Sequence, residues 1–194
     1  QLNFYNYLTI ELPKSIELPY FKEFEIKDGY EKPNGILLKI NERKKINKDR
    51  CILVSNYMAY DNEKNKIFLI DKNSKYCESI FGFFDNSVIN IDMEIGFDSE
   101  NIINLIIKPL LRKVLTDNGY ALIHASSFSF NDKATLIAAW AHTGKTNILI
   151  KNLLKGAEYF GDDLSVISSN GEIMPFRVPI NLFYYNMRDV PDIK

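Results

Sequence analysis

Residues 139–146 read Ala139-Trp140-Ala141-His142-Thr143-Gly144-Lys145-Thr146. This stretch departs from the phosphate-binding loop G-x-x-x-x-G-K-S/T only at its first position, where Ala139 replaces glycine. In such loops the second glycine lets the backbone approach a phosphate, the lysine contacts phosphate oxygens, and the Ser/Thr hydroxyl binds Mg²⁺. The stretch therefore predicts a phosphate site in which Gly144, Lys145 and Thr146 take these three roles, and we call it loop 139–146.

The flanking segments favour the strand, loop and helix order that such a loop requires. Residues 134–138 form a short apolar run, which predicts a buried strand. Residues 147–155 contain good helix formers with Ile150 and Leu154 one turn apart, and Gly156 supplies a stop. A helix that begins at the loop would point unpaired N–H groups and the positive end of its dipole at a bound anion.

Two acids follow the predicted helix. Residues 157–160 predict a second strand, and Asp162 and Asp163 stand just after it. The carboxyl ends of strands are the edge where open α/β sheets bind ligands. Phosphoryl transfer needs one carboxylate for the metal and another to accept the proton of the attacking hydroxyl. Loop and acids together indicate a nucleotide-dependent phosphotransferase that uses ATP and Mg²⁺.

The segment 121–181 resembles the catalytic domain of HPr kinase/phosphorylase and the wider group of HPr kinase-like serine kinases. The resemblance rests on an ordered series of short segments, namely residues 122–126, loop 139–146, residues 153–156, the pair Asp162-Asp163 and residues 179–182. It implies an α/β (α+β) fold whose mixed sheet carries a phosphate loop, distantly similar to phosphoenolpyruvate carboxykinase. It also implies transfer of phosphate to a serine hydroxyl of a protein or peptide.

Roles for individual residues follow from the resemblance. It implies that Lys145 and Thr146 bind phosphate and Mg²⁺, with the other residues of loop 139–146 around the nucleotide. Asp162 matches the base that takes the serine proton, and Asp163 would support the metal or the base. His124 matches a histidine near the phosphates.

Three positions of this chain depart from the family pattern. The family's loop begins with glycine and usually has another at the position of His142, whereas Asn147 stands where true HPr kinases carry glutamate. Ala139 has a Cβ that tolerates positive φ poorly, so we expect this loop to wrap a phosphate less closely. The departures bear on HPr as the acceptor more than on nucleotide binding.

Each candidate residue also has a purely structural interpretation. His124 lies among apolar residues and fits a core histidine, while His142 fits a solvated loop position. Trp140 could stack on a nucleobase, but an aromatic residue at this position is expected to pack against the sheet. Gly-Asp-Asp is ordinary turn chemistry, which would explain Asp162 and Asp163 without catalysis. Ser126 is expected to bond only to backbone.

Composition limits the class of protein. The chain has 194 residues, 46% of them hydrophobic, and a formal net charge of −1. It can build a sizeable core, and its balanced charge implies attraction neither to nucleic acid nor to a membrane surface. Cys51 and Cys77 lie outside any C-x-x-C spacing and suggest reduced thiols in a cytoplasmic protein. The chain begins at Gln1, which suggests a fragment of a longer protein.

The sequence before residue 98 favours a β-rich region. Alternating apolar runs predict short antiparallel strands at residues 4–12, 21–26, 36–40, 51–60, 66–70 and 88–94. Asp98 or Ser99 then caps a predicted helix that ends near Gly119 and is kinked at Pro109. We place the boundary between a β-rich region 1–97 and a catalytic region 98–194, which we expect to be incomplete at its carboxyl end. The strands of the first region either continue the same sheet or form an independent domain. Substrate recruitment and homo-oligomer contacts remain open as roles of the first region.

Two alternatives to a serine kinase remain open at this stage. Ala139 and His142 could leave a module that binds a nucleotide without transferring phosphate. A nucleotide hydrolase or a small-molecule kinase would use the same loop, because an acid that orients water resembles an acid that deprotonates serine. The paired acids argue against the first alternative, since a binding module needs no proton acceptor.

Overall fold

The computed structural model describes residues 1–26, 35–49, 51–80 and 87–189. The fold is mixed α/β, with many strands and few helices. The chain divides into two compact units, one formed by Gln1–Pro19 with Phe24–Val114, the other by Tyr20–Glu23 with the chain from Leu115 onward. The division falls inside the helical segment that the sequence places at the start of the second region. Among the described residues, no helix has the length and apolar character needed to span a membrane.

The described part of the first unit contains a sheet of eight strands in the order β1-β2-β3-β8-β7-β6-β5-β4. The strands are β1 (Leu2–Phe4), β2 (Leu8–Glu11), β3 (Ile36–Arg43), β4 (Cys51–Ser55), β5 (Met58–Asp61), β6 (Lys66–Ile70), β7 (Tyr76–Glu78) and β8 (Val88–Glu94). Strand β3 pairs in parallel with both β2 and β8, and the other pairs are antiparallel. The expectation of antiparallel strands alone is therefore wrong for the middle of the sheet.

Side-chain alternation explains the core of this sheet. In β8, Ile89 and Ile91 are fully buried while Val88 is exposed, so one face of the strand packs inward. Beyond the parallel strands, Ala59, Phe68 and their neighbours form a second cluster of buried side chains. Cys51 packs against that cluster and Cys77 is buried, and both are free thiols.

Two predicted strands are hairpins because of their turn residues. Tyr5 and Asn6 have positive φ, which divides the segment 4–12 into β1 and β2. The segment 51–60 is divided into β4 and β5, where the N–H of Tyr57 donates to the Ser55 hydroxyl.

The predicted strand at residues 21–26 is wrong. Pro19–Phe24 forms a 3₁₀ helix instead. Within the second unit, fully buried Phe21 packs edge-on against Phe176, with ring centroids 6.4 Å apart. Burial of this ring decides the local conformation over the β propensity of the segment.

The helical segment that follows begins as predicted. The Asp98 carboxylate accepts from the N–H of Glu100 and caps α1 (Ser99–Ile102). A π-helical turn, Ile103–Ile107, then leads into α2 (Lys108–Asp117). Pro109 has no N–H to donate, and the irregular turn directly before it accommodates this loss. The irregularity expected at Pro109 is therefore present as a π turn on its amino-terminal side.

The second unit contains two three-stranded sheets within its described residues, in the orders β11-β10-β12 and β14-β13-β9. Its elements are β9 (Tyr120–Ile123), β10 (Ala125–Phe130), β11 (Lys133–Ala138), α3 (Lys145–Leu153), β12 (Glu158–Gly161), β13 (Ser165–Ser168), β14 (Ile173–Met174) and α4 (Tyr184–Asp189). Both sheets are antiparallel. The mixed sheet therefore lies in the first unit, whereas the sequence interpretation assigned it to the region with the loop.

Strand β11, directly before loop 139–146, is an edge strand. It pairs with β10, and four of its six residues are exposed. The expectation of a buried strand at residues 134–138 is wrong, because an apolar run by itself does not say which strands cover it.

A buried carboxylate ties loops of the first unit together. Glu94 at the end of β8 has a side chain only 3% exposed. Its oxygens accept from the N–H of Ile46 at 2.9 Å, the N–H of Tyr76 at 3.1 Å and the Lys48 ammonium at 3.3 Å. Burial by itself raises the pKa of Glu94, but these hydrogen bonds together hold it below its usual value.

Replacing Glu94 with glutamine should lower the free energy of unfolding by about 1–3 kcal/mol, since an amide cannot satisfy all three donors. Because the pKa is lower in the folded state, the stabilisation is present above the unfolded pKa of about 4.3 and is lost as the pH falls through the folded value. Urea unfolding at pH 7 and at acidic pH measures both effects. Glu17→Gln, at an exposed position, is the control. Equal losses at both pH values would contradict this role of Glu94.

Candidate functional site

Loop 139–146 connects β11 to α3 through two left-handed residues. His142 has φ 61° and Gly144 has φ 92°. A left-handed backbone favours glycine, so His142 adopts a conformation that is unusual for a residue with a side chain. Ala139 is not among the residues with positive φ, so its Cβ does not strain the loop as the sequence suggested. The Thr143 hydroxyl closes the turn by donating to the Trp140 carbonyl at 2.6 Å.

The helix start is open to a ligand. Gly144 occupies the N-cap position of α3 and has no side chain with which to cap the first turn. The helix continues for nine residues, with buried Leu149 and Ile150 on its inner face. The predicted helix is therefore confirmed, and its amino terminus follows directly on the loop.

Lys145 is buried, with 8% of its surface exposed. Its ammonium donates to the carbonyls of Ala139 at 2.8 Å and Trp140 at 2.9 Å, and lies 3.2 Å from Nε2 of His124. These contacts hold a positive charge inside the curve of the loop. Because an ammonium can only donate, Nε2 of His124 is the acceptor in a hydrogen bond between these two groups.

His124 joins this lysine to Asp163. It stands at a bend between β9 and β10 and is exposed rather than buried in the core. Its Nδ1 lies 2.9 Å from the Asp163 carbonyl and 3.0 Å from Oδ1 of the Asp163 carboxylate. About half of each side chain is accessible, 47% for His124 and 49% for Asp163. The interpretation of His124 as a core histidine is therefore wrong.

Asp162 makes a separate set of contacts. The residue is 5% exposed, and its carboxylate accepts from the Ser126 hydroxyl at 2.5 Å and from the Thr146 hydroxyl at 3.1 Å. The sequence interpretation assigned Thr146 and Asp163 to the same metal ion. In the structure the Thr146 hydroxyl contacts Asp162 instead, and the Asp163 carboxylate contacts His124. Ser126 was expected to bond only to backbone. Ser126 is fully buried in β10, and its hydroxyl bonds to the Asp162 carboxylate because a buried hydroxyl needs a partner.

The strand that leads into the acids is tightly constrained. A Cβ built on Gly161 would lie 2.6 Å from the Leu164 carbonyl oxygen and 2.9 Å from that of Phe176. Both neighbours are backbone atoms, so only glycine fits at this position. Asp163 itself has φ 68°, a conformation that aspartate tolerates better than most residues. This strained turn directs the two carboxylates to different partners.

Two tyrosines, which sequence reasoning did not identify, face the acids. Burial raises the pKa of Tyr20, and the charges of Asp163 and Asp162 raise it further. Burial and the Asp162 charge likewise raise the pKa of Tyr159, whose hydroxyl donates to the Val178 carbonyl. Both phenols therefore stay protonated beside the carboxylates.

The candidate lysine, histidine and aspartates line one cleft of about 210 Å³ in the second unit. Its walls are formed by His124, Ala141, His142, Lys145, Thr146, Asp162, Asp163, Pro179, Asn181, Phe183 and Tyr185. A larger cleft of about 520 Å³ lies in the first unit, where Glu11, Lys14 and Glu17 are among the residues that line it. The smaller cleft is the candidate site because a buried lysine and a buried aspartate converge in it.

The structure brings together most of the predicted residues. His124, Lys145, Thr146, Asp162 and Asp163 all line the cleft, as do Ala141 and His142. Trp140 is 87% exposed, so the expectation that it packs against the sheet is wrong. Phe183 and Tyr185 were missed, although they follow directly on the segment 179–182 of the resemblance.

Comparisons with protein-family models, curated proteins and solved structures gave no match to this chain.

Proposed function

We propose that this protein is a phosphotransferase that uses a nucleoside triphosphate with Mg²⁺ and phosphorylates a serine hydroxyl of a protein or peptide. The observation that carries the proposal is the convergence of buried Lys145 and buried Asp162 on one cleft at the start of α3. Buried ionisable groups of opposite sign are costly unless the site uses or pairs them. Here each is held by hydrogen bonds to its surroundings.

The phosphate side of the site is built by loop 139–146. Lys145 would turn its charge to the β and γ phosphates, exchanging contacts with the loop carbonyls for phosphate oxygens. The uncapped first turn of α3 adds backbone N–H groups at the same place. Positioning and charge neutralisation of this kind supply most of the catalysis in phosphoryl transfer.

The oxygen atoms beside the loop fit Mg²⁺. No cluster of three or more His, Cys, Asp or Glu side chains able to hold a metal occurs in the part of the chain that the structure describes. Mg²⁺ at nucleotide sites uses one or two protein oxygens and completes its shell with phosphate and water. The Asp162 carboxylate and the Thr146 hydroxyl, 3.1 Å apart, form such a pair. The ion would neutralise phosphate charge during transfer.

The proton acceptor is the half-exposed carboxylate of Asp163. A base must reach the substrate hydroxyl, and the Asp163 side chain is 49% exposed whereas Asp162 is buried. His124 holds Asp163 through Nδ1 at 3.0 Å. In the reaction the serine Oγ bonds to the γ phosphorus, the bond from that phosphorus to the bridging oxygen breaks, and the serine proton passes to Asp163. The nucleoside diphosphate leaves.

Incubation with γ-labelled Mg-ATP and serine-containing peptides or proteins should place the label on serine, identified by phosphoamino-acid analysis. Threonine-substituted and alanine-substituted peptides are the matched controls. Release of label only as free phosphate would instead support a hydrolase. Label on a small molecule would support a small-molecule kinase, and binding without turnover would support a nucleotide-binding module.

A further inference from the structure

A short segment after the cleft is fixed to the helix that begins at the loop. Asn186, only 1% exposed, donates from Nδ2 to Oδ1 of Asn147 at 2.5 Å. Its own Oδ1 accepts from the N–H of Phe183 at 2.8 Å. Asn147 lies in the first turn of α3, beside Thr146. The buried asparagine therefore holds residues 183–186 at a defined position next to the candidate phosphate site.

This anchored segment presents two aromatic rings to the cleft. The rings of Phe183 and Tyr185 are stacked, with centroids 5.5 Å apart and planes 7° apart. His142 meets Tyr185 edge-on at 6.3 Å, and the Tyr185 hydroxyl lies 3.5 Å from Nδ1 of His142. We call Phe183 and Tyr185 the ring pair. It is connected to the loop through His142 and to α3 through Asn186.

The ring pair is exposed despite being held in place. Phe183 is 53% exposed and Tyr185 37% exposed, while both line the cleft that contains Lys145 and Thr146. One face of Phe183 packs on Tyr185, which leaves its other face for a planar ligand. Aromatic rings bind nucleobases by stacking, and a purine offers the larger face.

We propose that the ring pair is the platform for the base of a purine nucleoside triphosphate whose phosphates bind loop 139–146. The proposal rests on the proposed function and names its nucleotide. A ligand with a base gains stacking contacts that a bare polyphosphate lacks. Stacking on an aromatic ring corresponds to about 5- to 150-fold in Kd.

Binding of Mg-ATP and of Mg-tripolyphosphate, measured by calorimetry, tests the platform. The wild-type protein should bind Mg-ATP about 5- to 150-fold more tightly than Mg-tripolyphosphate. Phe183→Leu combined with Tyr185→Leu should weaken Mg-ATP binding to the level of tripolyphosphate and leave tripolyphosphate binding unchanged. Phe183→Trp keeps a stacking face and should lose less affinity than Phe183→Leu.

Tyr184→Leu is the matched control, because Tyr184 lies between the two rings in sequence, is 81% exposed and is not a wall of the cleft. If tripolyphosphate and ATP bind the wild-type protein equally, the ring pair does not bind the base, and the proposed phosphate site is retained. Unchanged ATP affinity in the double variant also overturns the platform and points to the acceptor as the ligand of the rings. If neither ligand binds, the proposed function fails together with the platform.

Discussion

Lys145→Met should abolish the thermal stabilisation that Mg-ATP gives to the wild-type protein. A ligand at 100 times its Kd contributes about 2.7 kcal/mol, and the variant should lose nearly all of it. Methionine is unbranched and only one atom shorter, but it lacks the charge that would meet the phosphates. Turnover should fall about 10²- to 10³-fold, as when one preorganised donor is removed from developing charge. Melting curves with and without Mg-ATP provide the measurement.

The same lysine also supports the loop without a ligand, so the comparison must separate the two roles. Its ammonium bonds to the carbonyls of Ala139 and Trp140, and losing these contacts lowers the stability of the unliganded variant. The shift caused by Mg-ATP is therefore measured from each variant's own baseline. Lys151→Met, on the exposed face of the same helix, controls for loss of one positive charge. A wild-type ligand shift in Lys145→Met would remove loop 139–146 as a phosphate site.

Asp163→Asn should lower phosphate transfer about 10²- to 10⁴-fold, the usual contribution of a positioned base, while Mg-ATP still binds. Asparagine keeps the shape of the side chain but cannot accept the serine proton. Asp162→Asn should instead raise the Mg²⁺ concentration required for nucleotide binding, because its carboxylate stands with the Thr146 hydroxyl. Magnesium titrations of binding and of transfer distinguish the two variants.

The opposite pattern would restore the assignment that the sequence suggested. If Asp162→Asn binds Mg-ATP as the wild type does and loses only transfer, then Asp162 is the base and Asp163 supports it. Asp132→Asn is the control, since Asp132 is exposed and has φ 60°, a conformation that asparagine also tolerates. If Asp132→Asn also lost phosphate transfer, the loss in the site variants would reflect a change in net charge or stability and not the removal of a catalytic group.

Local patterns in the sequence were sufficient to predict the bounds of several strands and the ends of the helical segment. The alternation in Lys66–Ile70 and Val88–Glu94 predicts both strands with the bounds that the structure has. The cap at Asp98 and the glycine at 119 likewise mark the ends of the helical segment. These signals act within a few residues, and so the sequence carries them directly.

Pairing between distant segments could not be predicted in this way. Nothing within β3 says that it runs parallel to β8, and the short strand β7 was missed altogether. The exposed edge position of β11 is likewise set by the order of strands, which alternation does not encode.

In the candidate site, too, local features could be predicted from the sequence, whereas contacts between distant residues could not. The sequence placed loop 139–146 before a helix and the two acids after a strand, and the structure brings Lys145, Thr146, Asp162 and Asp163 to one cleft. The partners of each acid were not predicted. Whether Thr146 meets Asp162 or Asp163 depends on the left-handed turn at Asp163, and the role of Ser126 depends on its burial. Asn147 accepts a hydrogen bond from Asn186, and no local sequence pattern predicts this contact.

The parallel position of β3 has a consequence for the order of folding. Strands β4 to β7 are joined by antiparallel pairings between neighbours in the chain, which form by closing short loops. The pairing of Ile40 with Ile91 instead requires a much longer loop to close, and its entropy must be overcome first. We therefore expect the hairpins to assemble early, so that the parallel strands in the middle of this sheet complete their pairing last.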